Sequence, residues 1–247
     1  MFSPVLIVTL ISVGVLIGGV GIGGILLIPA LKYLGGIPLH QAISACMLSY
    51  VFTGLIGVII YAKHGTIQWS LAARICLGAL PGAYLGAFLL PYFSAFALES
   101  GIGVLILMSG IHTLSQAARP QDHKPSDRSS ELIIIGFVTG IGSALTGTGG
   151  PLLLIPLLIW RKNPVLTTIG LSQAIQIPIS LMATLGNFIH ADVDLRLGLS
   201  LALFLGTGAI LGAKIAHRLP VTLLKNLVSG FLIIVGLIIL SKLGSGA

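Results

Sequence analysis

The chain has 247 residues, 55% of them hydrophobic and only 8% charged. A soluble domain carries about a quarter charged residues, so the composition excludes a soluble enzyme or binding module and describes an integral membrane protein. The net charge of +7 is therefore read against a bilayer, where basic loop residues set orientation; no basic soluble face exists for nucleic acid.

About 20 apolar residues cross a bilayer. The first apolar segment, 4–33, is long and is interrupted by GGVGIGG at 18–24. No basic stretch precedes it and no small-residue cleavage site follows a short apolar core, so it is expected to be a membrane segment and not a cleaved signal. The second, 40–62, carries Ser44, Ser49, Tyr50 and Thr53 and leads to His64. Segments 70–91 and 97–117 complete the first set. Cys46 and Cys76 lie inside apolar runs, where cysteine behaves as a small hydrophobe, and they leave the redox compartment unread. The polar stretch RPQDHKPSDRSSE at 119–131 reads as a solvated linker. Segment 131–160 is again long and interrupted, by GSALTGTGG at 142–150, with Ser143, Thr146 and Thr148 among its glycines. Segment 164–189 holds Ser172, Gln173, Gln176, Ser180 and Asn187 and leads to His190; 195–217 and 221–242 follow.

Sliding the chain along itself by 126 residues superimposes the two sets without a gap. Gly14 falls on Gly140, and Gly21, Gly23 and Gly24 fall on Gly147, Gly149 and Gly150. Pro38 meets Pro164, His64 meets His190, and Gly82, Gly86 and Ala87 meet Gly208, Gly212 and Ala213. Apolar chains match leucines by chance, but not this series. The chain reads as a tandem duplication: residues 1–118, a linker at 119–130, and residues 131–247. Internal repeats are a common transporter architecture.

If all eight segments cross, Lys63, Arg74, Arg119, Lys124, Arg128, Arg196 and Lys242 share one side and Lys32, Arg161, Lys162, Lys214, Arg218 and Lys225 the other. That 7 to 6 division of the 13 basic residues carries no orientation signal. If each glycine-interrupted segment dips in and returns, only Lys32, Arg196 and Lys242 remain apart from the rest. The division becomes 10 to 3, and the basic side is the cytoplasmic one. Each half then crosses three times, so the halves are inverted and both termini lie outside the cytoplasm. The expected fold is an all-α polytopic membrane protein with two tandem four-segment repeats, inverted, whose first segments are broken or re-entrant.

All six acidic residues, Glu99, Asp122, Asp127, Glu131, Asp192 and Asp194, fall at segment ends or in the linker. A carboxylate deep in the membrane marks cation and proton sites, so its absence argues against a cation channel, a metal transporter or a carboxylate-driven pump. No catalytic residue, metal ligand or cofactor site is expected. The buried polar residues are neutral. Any single Ser or Thr among them can simply bond back to its helix or join two helices, but Gln173 and Gln176, three apart, share one helix face and need partners in hydrocarbon.

The glycine clusters permit two readings. Small residues let helices pack closely in membranes. Alternatively, GIGG and GTGG break the helix, freeing backbone N–H groups at new helix starts, from Ile25 and from Pro151, where proline suits a first helical position. Freed N–H groups and the positive dipole end bind anions, and non-helical backbone at membrane depth occurs only where it lines a cavity or is buried in protein. Two such starts, from opposite faces, would make one anion site. His64 and His190 are boundary residues or a gate with pH sensitivity.

The stretches GVGIGGILLIPAL, IPLHQAISACMLSYVFTGLIGVIIYAKHGTIQW, GTGGPLLLIPLL and LSQAIQIPISLMATLGNFIHADVD together resemble the sulfite exporter TauE/SafE family, over nearly the whole chain. The resemblance implies a small permease with duplicated halves, moving sulfite, sulfoacetate or related anions, usually outward. One departure is that the first cluster has no Ser or Thr, so side-chain hydroxyls are expected mainly from the second half.

The expectation is a secondary transporter of the cytoplasmic membrane working by alternating access, with a small anionic substrate and the lipid bilayer as partners. An anion channel of the same fold and a non-transporting scaffold are the alternatives, and the sequence leaves homo-oligomerisation open. The candidate binding residues are Gly21, Gly23, Gly24, Ser49, Thr53, Thr146, Gly147, Thr148, Gly149, Gly150, Ser172, Gln173 and Gln176. His64 and His190 are the candidate gate.

Overall fold

The computed structural model describes residues 3–21, 23–115, 129–161, 163, 165–190, 193–216, 220, 222–223, 226, 230, 233–234, 236–238 and 240–241. Among the described residues it is α-helical, with no strand. The helices are α1 (Pro4–Val20), α2 (Gly24–Pro29), α3 (Leu39–Lys63), α4 (Trp69–Leu89), α5 (Ala95–Ser115), α6 (Ser129–Thr146), α7 (Pro151–Trp160), α8 (Val165–His190) and α9 (Leu195–Ala216). Every residue described between 222 and 241 is helical as well. Five stretches, Leu39–Lys63, Trp69–Tyr92, Ser129–Thr146, Thr167–Ile189 and Leu195–Ile215, are long and apolar enough to cross a membrane. Residues 119–128 of the expected linker lie outside the described residues, and α6 begins at Ser129.

Both glycine clusters interrupt the helix, and in both places the chain turns back. Ser3 caps α1 by accepting the Leu6 amide at 3.2 Å, with Pro4 at the first helical position, where its missing N–H costs nothing. At the other end Gly21 adopts φ 80° and returns its N–H to Ile17 O, the left-handed helix stop that glycine alone adopts freely. Two residues later a Cβ on Gly23 would lie 2.5 Å from the Val13 carbonyl and 2.6 Å from the Ile17 amide, so the chain has folded back along α1. Pro29 then removes an amide from the returning helix, which loosens into a π turn over Ala30–Leu34, closed by Gly35 N–H to Ala30 O at 3.3 Å. Leu34, Gly35 and Ile37 end beside Ser3, Leu6 and Ile7, lining one cavity with them. The second cluster behaves likewise. Glu131, in the first turn of α6, pairs with Arg161, which directly follows α7.

Two membrane faces follow from the contacts. On one, His40 Nε2 meets Phe93 O at 3.1 Å and Gln41 donates to Asp194 at 3.4 Å, beside Ser3 and Ile37. We call this the N-terminal face. On the other, the Thr66 carbonyl would lie 3.0 Å from a Cβ on Gly170, near the start of α8, and the Glu131–Arg161 pair closes the second hairpin. Arg161 thus shares a face with Lys63 and Arg74. This is where the turn at the second break puts Arg161.

Small residues bring the long helices into backbone contact, and they do so crosswise. A Cβ on Gly212 of α9 would strike the Val15 carbonyl of α1, and one on Gly208 the Ile11 carbonyl. A Cβ on Gly86 of α4 would strike the Ile141 carbonyl of α6, and one on Gly82 the Phe137 carbonyl. Adding 126 to Gly82, Gly86, Ile11 and Val15 yields Gly208, Gly212, Phe137 and Ile141. Each half thereby packs its interrupted first helix onto the other half's long helix, and α3 crosses α8 at the centre. Close approach of glycine-bearing helices maximises dispersion and Cα–H···O contacts, which drive helix association where lipid supplies no hydrophobic gain.

Candidate functional site

The two breaks abut at the centre of the molecule. A Cβ on Gly24 would lie 3.0 Å from the Thr148 carbonyl, and one on Gly21 would lie 3.6 Å from Cβ of Pro151 and 3.0 Å from Oγ of Ser172. Gly147, Gly149 and Gly150 have φ of 64°, 76° and 113°, three positive-φ conformations within four residues that only glycine adopts without strain. The whole cluster is buried, Thr146 and Thr148 being only 7% and 4% exposed.

Tyr50 stands between the breaks. Its hydroxyl donates to Gly24 O at 2.7 Å, and its ring lies 2.7 Å from where a Cβ on Gly149 would be. Its own carbonyl accepts from Gln176 Nε2 at 3.3 Å, and the same amide donates to Thr53 Oγ1 at 2.9 Å. Gln173 reaches the other way and donates to Ile17 O at 2.8 Å, the carbonyl that also stops α1. The two glutamines thus tie α8 to the first half at the level of the breaks, and their Oε1 atoms have no partner among the described residues.

The hydroxyls are largely committed to their own helices. Ser49 donates to Cys46 O at 2.7 Å, Thr53 to Tyr50 O at 3.3 Å, Ser172 to Ile169 O at 2.8 Å and Thr146 to Gly142 O at 2.6 Å. Thr146 and Thr148 pair through their hydroxyls at 3.1 Å. The backbone is different: Gly24 and Pro151 open new helices, and the first N–H groups of a helix have no acceptor inside it. A buried donor left without a partner costs roughly 1–3 kcal/mol, so two helix starts that touch favour acceptor oxygen between them.

The chain's relationships agree with this architecture. A family model described as sulfite exporter TauE/SafE matches residues 5–239. The chain belongs to that family. It is similar to the probable membrane transporter protein YdhB of Bacillus subtilis, 25% identical over 95% of this chain and 99% of the relative. It is similar also to the probable membrane transporter protein MJ0441 of Methanocaldococcus jannaschii, 28% identical over 97% of this chain and 96% of the relative. A probable membrane transporter protein of Xylella fastidiosa is 30% identical over 93% of this chain and 92% of the relative. No solved structure matches the chain. This TauE/SafE member is a multi-pass transporter of the cytoplasmic membrane.

Within the TauE/SafE chain the structure gathers Gly21, Gly23, Gly24, Thr146, Gly147, Thr148, Gly149, Gly150, Ser172, Gln173 and Gln176 around the breaks, with Thr53 joined through Gln176. Ser49 is buried on α3 and bonded within its own helix. His64 ends α3, exposed, with Nδ1 2.8 Å from Ile60 O, whereas the backbone of His190 ends α8 at the opposite face. They are not a pair. Sequence reasoning names Tyr50 only as one polar residue among several. The register held the missing signal, because Tyr50 and Gln176 are 126 residues apart and each is its counterpart's partner across the centre.

Proposed function

We propose that this chain is a secondary transporter that exports a small sulfur-containing oxyanion or organosulfonate by alternating access. The observation that carries the reading is the meeting of two buried helix starts, whose first amides have no acceptor within their own helices. An oxyanion satisfies several such donors at once, and the positive dipole ends favour its charge. The amides of residues 21–26 and 147–152 hold the anion. Gln173, Gln176, Thr146, Thr148 and Ser172, with Ser49 and Thr53 from the first half, re-aim donors towards it. No side-chain charge is needed.

The halves 1–118 and 131–247 act as inverted repeats joined by the linker 119–130, and they rock about the central contact of α3 with α8. The basic face is cytoplasmic by the positive-inside rule, which sets the N-terminal face outside. An inside-negative potential drives anion exit by about 2.3 kcal/mol per charge per 100 mV. His64 and His190, at opposite faces, are not one gate.

Sulfite flux into proteoliposomes tests the site. Gln176→Leu should abolish saturable flux while the protein still inserts, and wild-type flux from it would refute the assignment. Unitary currents in place of saturable counterflow would refute alternating access.

A further inference from the structure

Beyond the breaks, α8 carries a second polar feature. Gln173, Gln176, Ser180, Thr184 and Asn187 follow one another at intervals of three and four residues, so they lie on one narrow face. The file runs about 21 Å at the helical rise of 1.5 Å per residue, from the level of the breaks almost to the end of the helix at the N-terminal face. All five are at most 5% exposed. Each nevertheless has a side-chain atom without a hydrogen-bond partner among the described residues: the two Gln Oε1 atoms, the hydroxyls of Ser180 and Thr184, and both polar atoms of Asn187.

Helix-to-helix bonding accounts for the Gln173 and Gln176 nitrogens, but for none of these atoms. Serine and threonine inside a helix usually donate to a carbonyl of the preceding turn, as Ser49 and Ser172 do here; Ser180 and Thr184 do not. Nor is the file a by-product of duplication. The counterparts 126 residues earlier are Met47, Tyr50, Gly54, Val58 and Tyr61. Both tyrosine hydroxyls among them are spent on carbonyls, Tyr50 on Gly24 and Tyr61 on Gly18 and Gly19. Buried polar groups are satisfied in nearly all proteins. Single hydroxyls without a partner also occur at Ser44 on α3, at Thr139 and Ser143 on α6 and at Thr168 on α8. Among the described residues, however, only this face carries a run of five such residues, and a run points to a ligand that comes and goes.

We propose that this face of α8 is the exit track for the anion, from the central breaks to the N-terminal face. The Asn187 amide and the Ser180 and Thr184 hydroxyls donate to the passing oxyanion, and the glutamine oxygens hold its water. The first half has no such track, so the route on the basic side is built differently and ends against Tyr61. The cargo rests on the transporter reading above; the existence of a wetted track does not.

Single cysteines placed at Ser180 and Thr184, in a chain carrying Cys46→Ala and Cys76→Ala, test it with a small anionic methanethiosulfonate applied to the reconstituted protein. Met47→Cys is the control, because Met47 is 0% exposed yet belongs to the apolar counterpart. Modification of both track positions at least tenfold faster than Met47→Cys is expected. Equal rates, or no modification of either track position, would overturn the track. As a second readout, Asn187→Leu should raise the melting temperature and cut sulfite flux at least tenfold, since it removes an unpaired amide that only transport requires. A lowered melting temperature would make Asn187 a structural residue and overturn its role. If the wild-type chain carries no sulfite while both track cysteines react, the cargo reading fails and the track stands.

Discussion

The two hairpins occupy equivalent places 126 residues apart and solve the same problem with different chemistry. The first turns on one left-handed glycine, Gly21, and returns through six α-helical residues and a π turn. Its mouth opens on a cavity of about 780 Å³ shared with Gln41, Asp194 and Arg196. The second turns on three glycines of positive φ, returns through the ten-residue α7, and is clamped at its mouth by Glu131 and Arg161. The π turn of the first hairpin bonds less well than α-helix, whereas the second hairpin returns as regular α-helix and carries the hydroxyls of Thr146 and Thr148 at its break.

The largest expected effect tests what the hairpins share. Gly212→Leu and Gly86→Leu each force a side chain into a backbone carbonyl of the opposite half, a clash in the class that exceeds about 4 kcal/mol. Both should prevent recovery of folded, monodisperse protein on size exclusion. A well-behaved variant at only one of the two positions would break the equivalence of the crosswise packing.

A smaller effect separates the hairpins. Alanine at a left-handed position costs about 1–2 kcal/mol, which applies to Gly21 and Gly149 alike. At Gly149 the new Cβ would also lie 2.7 Å from the Tyr50 ring, and overpacking adds roughly 1–3 kcal/mol. Gly149→Ala should therefore lower the melting temperature clearly more than Gly21→Ala, and equal shifts would remove the asymmetry. Next comes Tyr50→Phe, which leaves the buried Gly24 carbonyl without its donor at a cost of roughly 1–3 kcal/mol, visible in the same melting assay. The smallest change is Glu131→Gln. The carboxylate is 39% exposed, so solvent screens the pair, and such pairs contribute about 0.2–1 kcal/mol. The loss should be small and should vanish in high salt; a large, salt-insensitive loss would mean the clamp is more than a surface pair.

Much of this architecture was legible because glycine, proline and charge leave marks that leucine does not. The register of Gly21, Gly23 and Gly24 with Gly147, Gly149 and Gly150 located both breaks, and Pro151 marked a helix start. The crosswise pairing of α1 with α9 and of α4 with α6 was not legible, since the glycines announce close packing without naming the partner. Tyr50 was hidden because a tyrosine in an apolar segment has no pattern of its own; its importance comes from two backbones that meet it in space. The hydroxyl-rich GTGG cluster drew attention to Thr146 and Thr148, yet both hydroxyls are engaged locally, and the donors a helix start leaves over are amides that every residue but proline carries. The α8 stripe needed burial to be seen, because Ser180 and Asn187 alone read as ordinary helix glue.

The most direct test of the central claim is anion-dependent thermal stabilisation of the purified protein, wild type against Gln176→Leu, across sulfite, thiosulfate, sulfoacetate and sulfate. A ligand that binds only the folded protein stabilises it by RT ln(1 + [L]/Kd). A saturable rise in melting temperature with at least one sulfur oxyanion, absent in Gln176→Leu, is the predicted result. No rise with any of them, or an equal rise in both proteins, would contradict an anion site at the paired breaks.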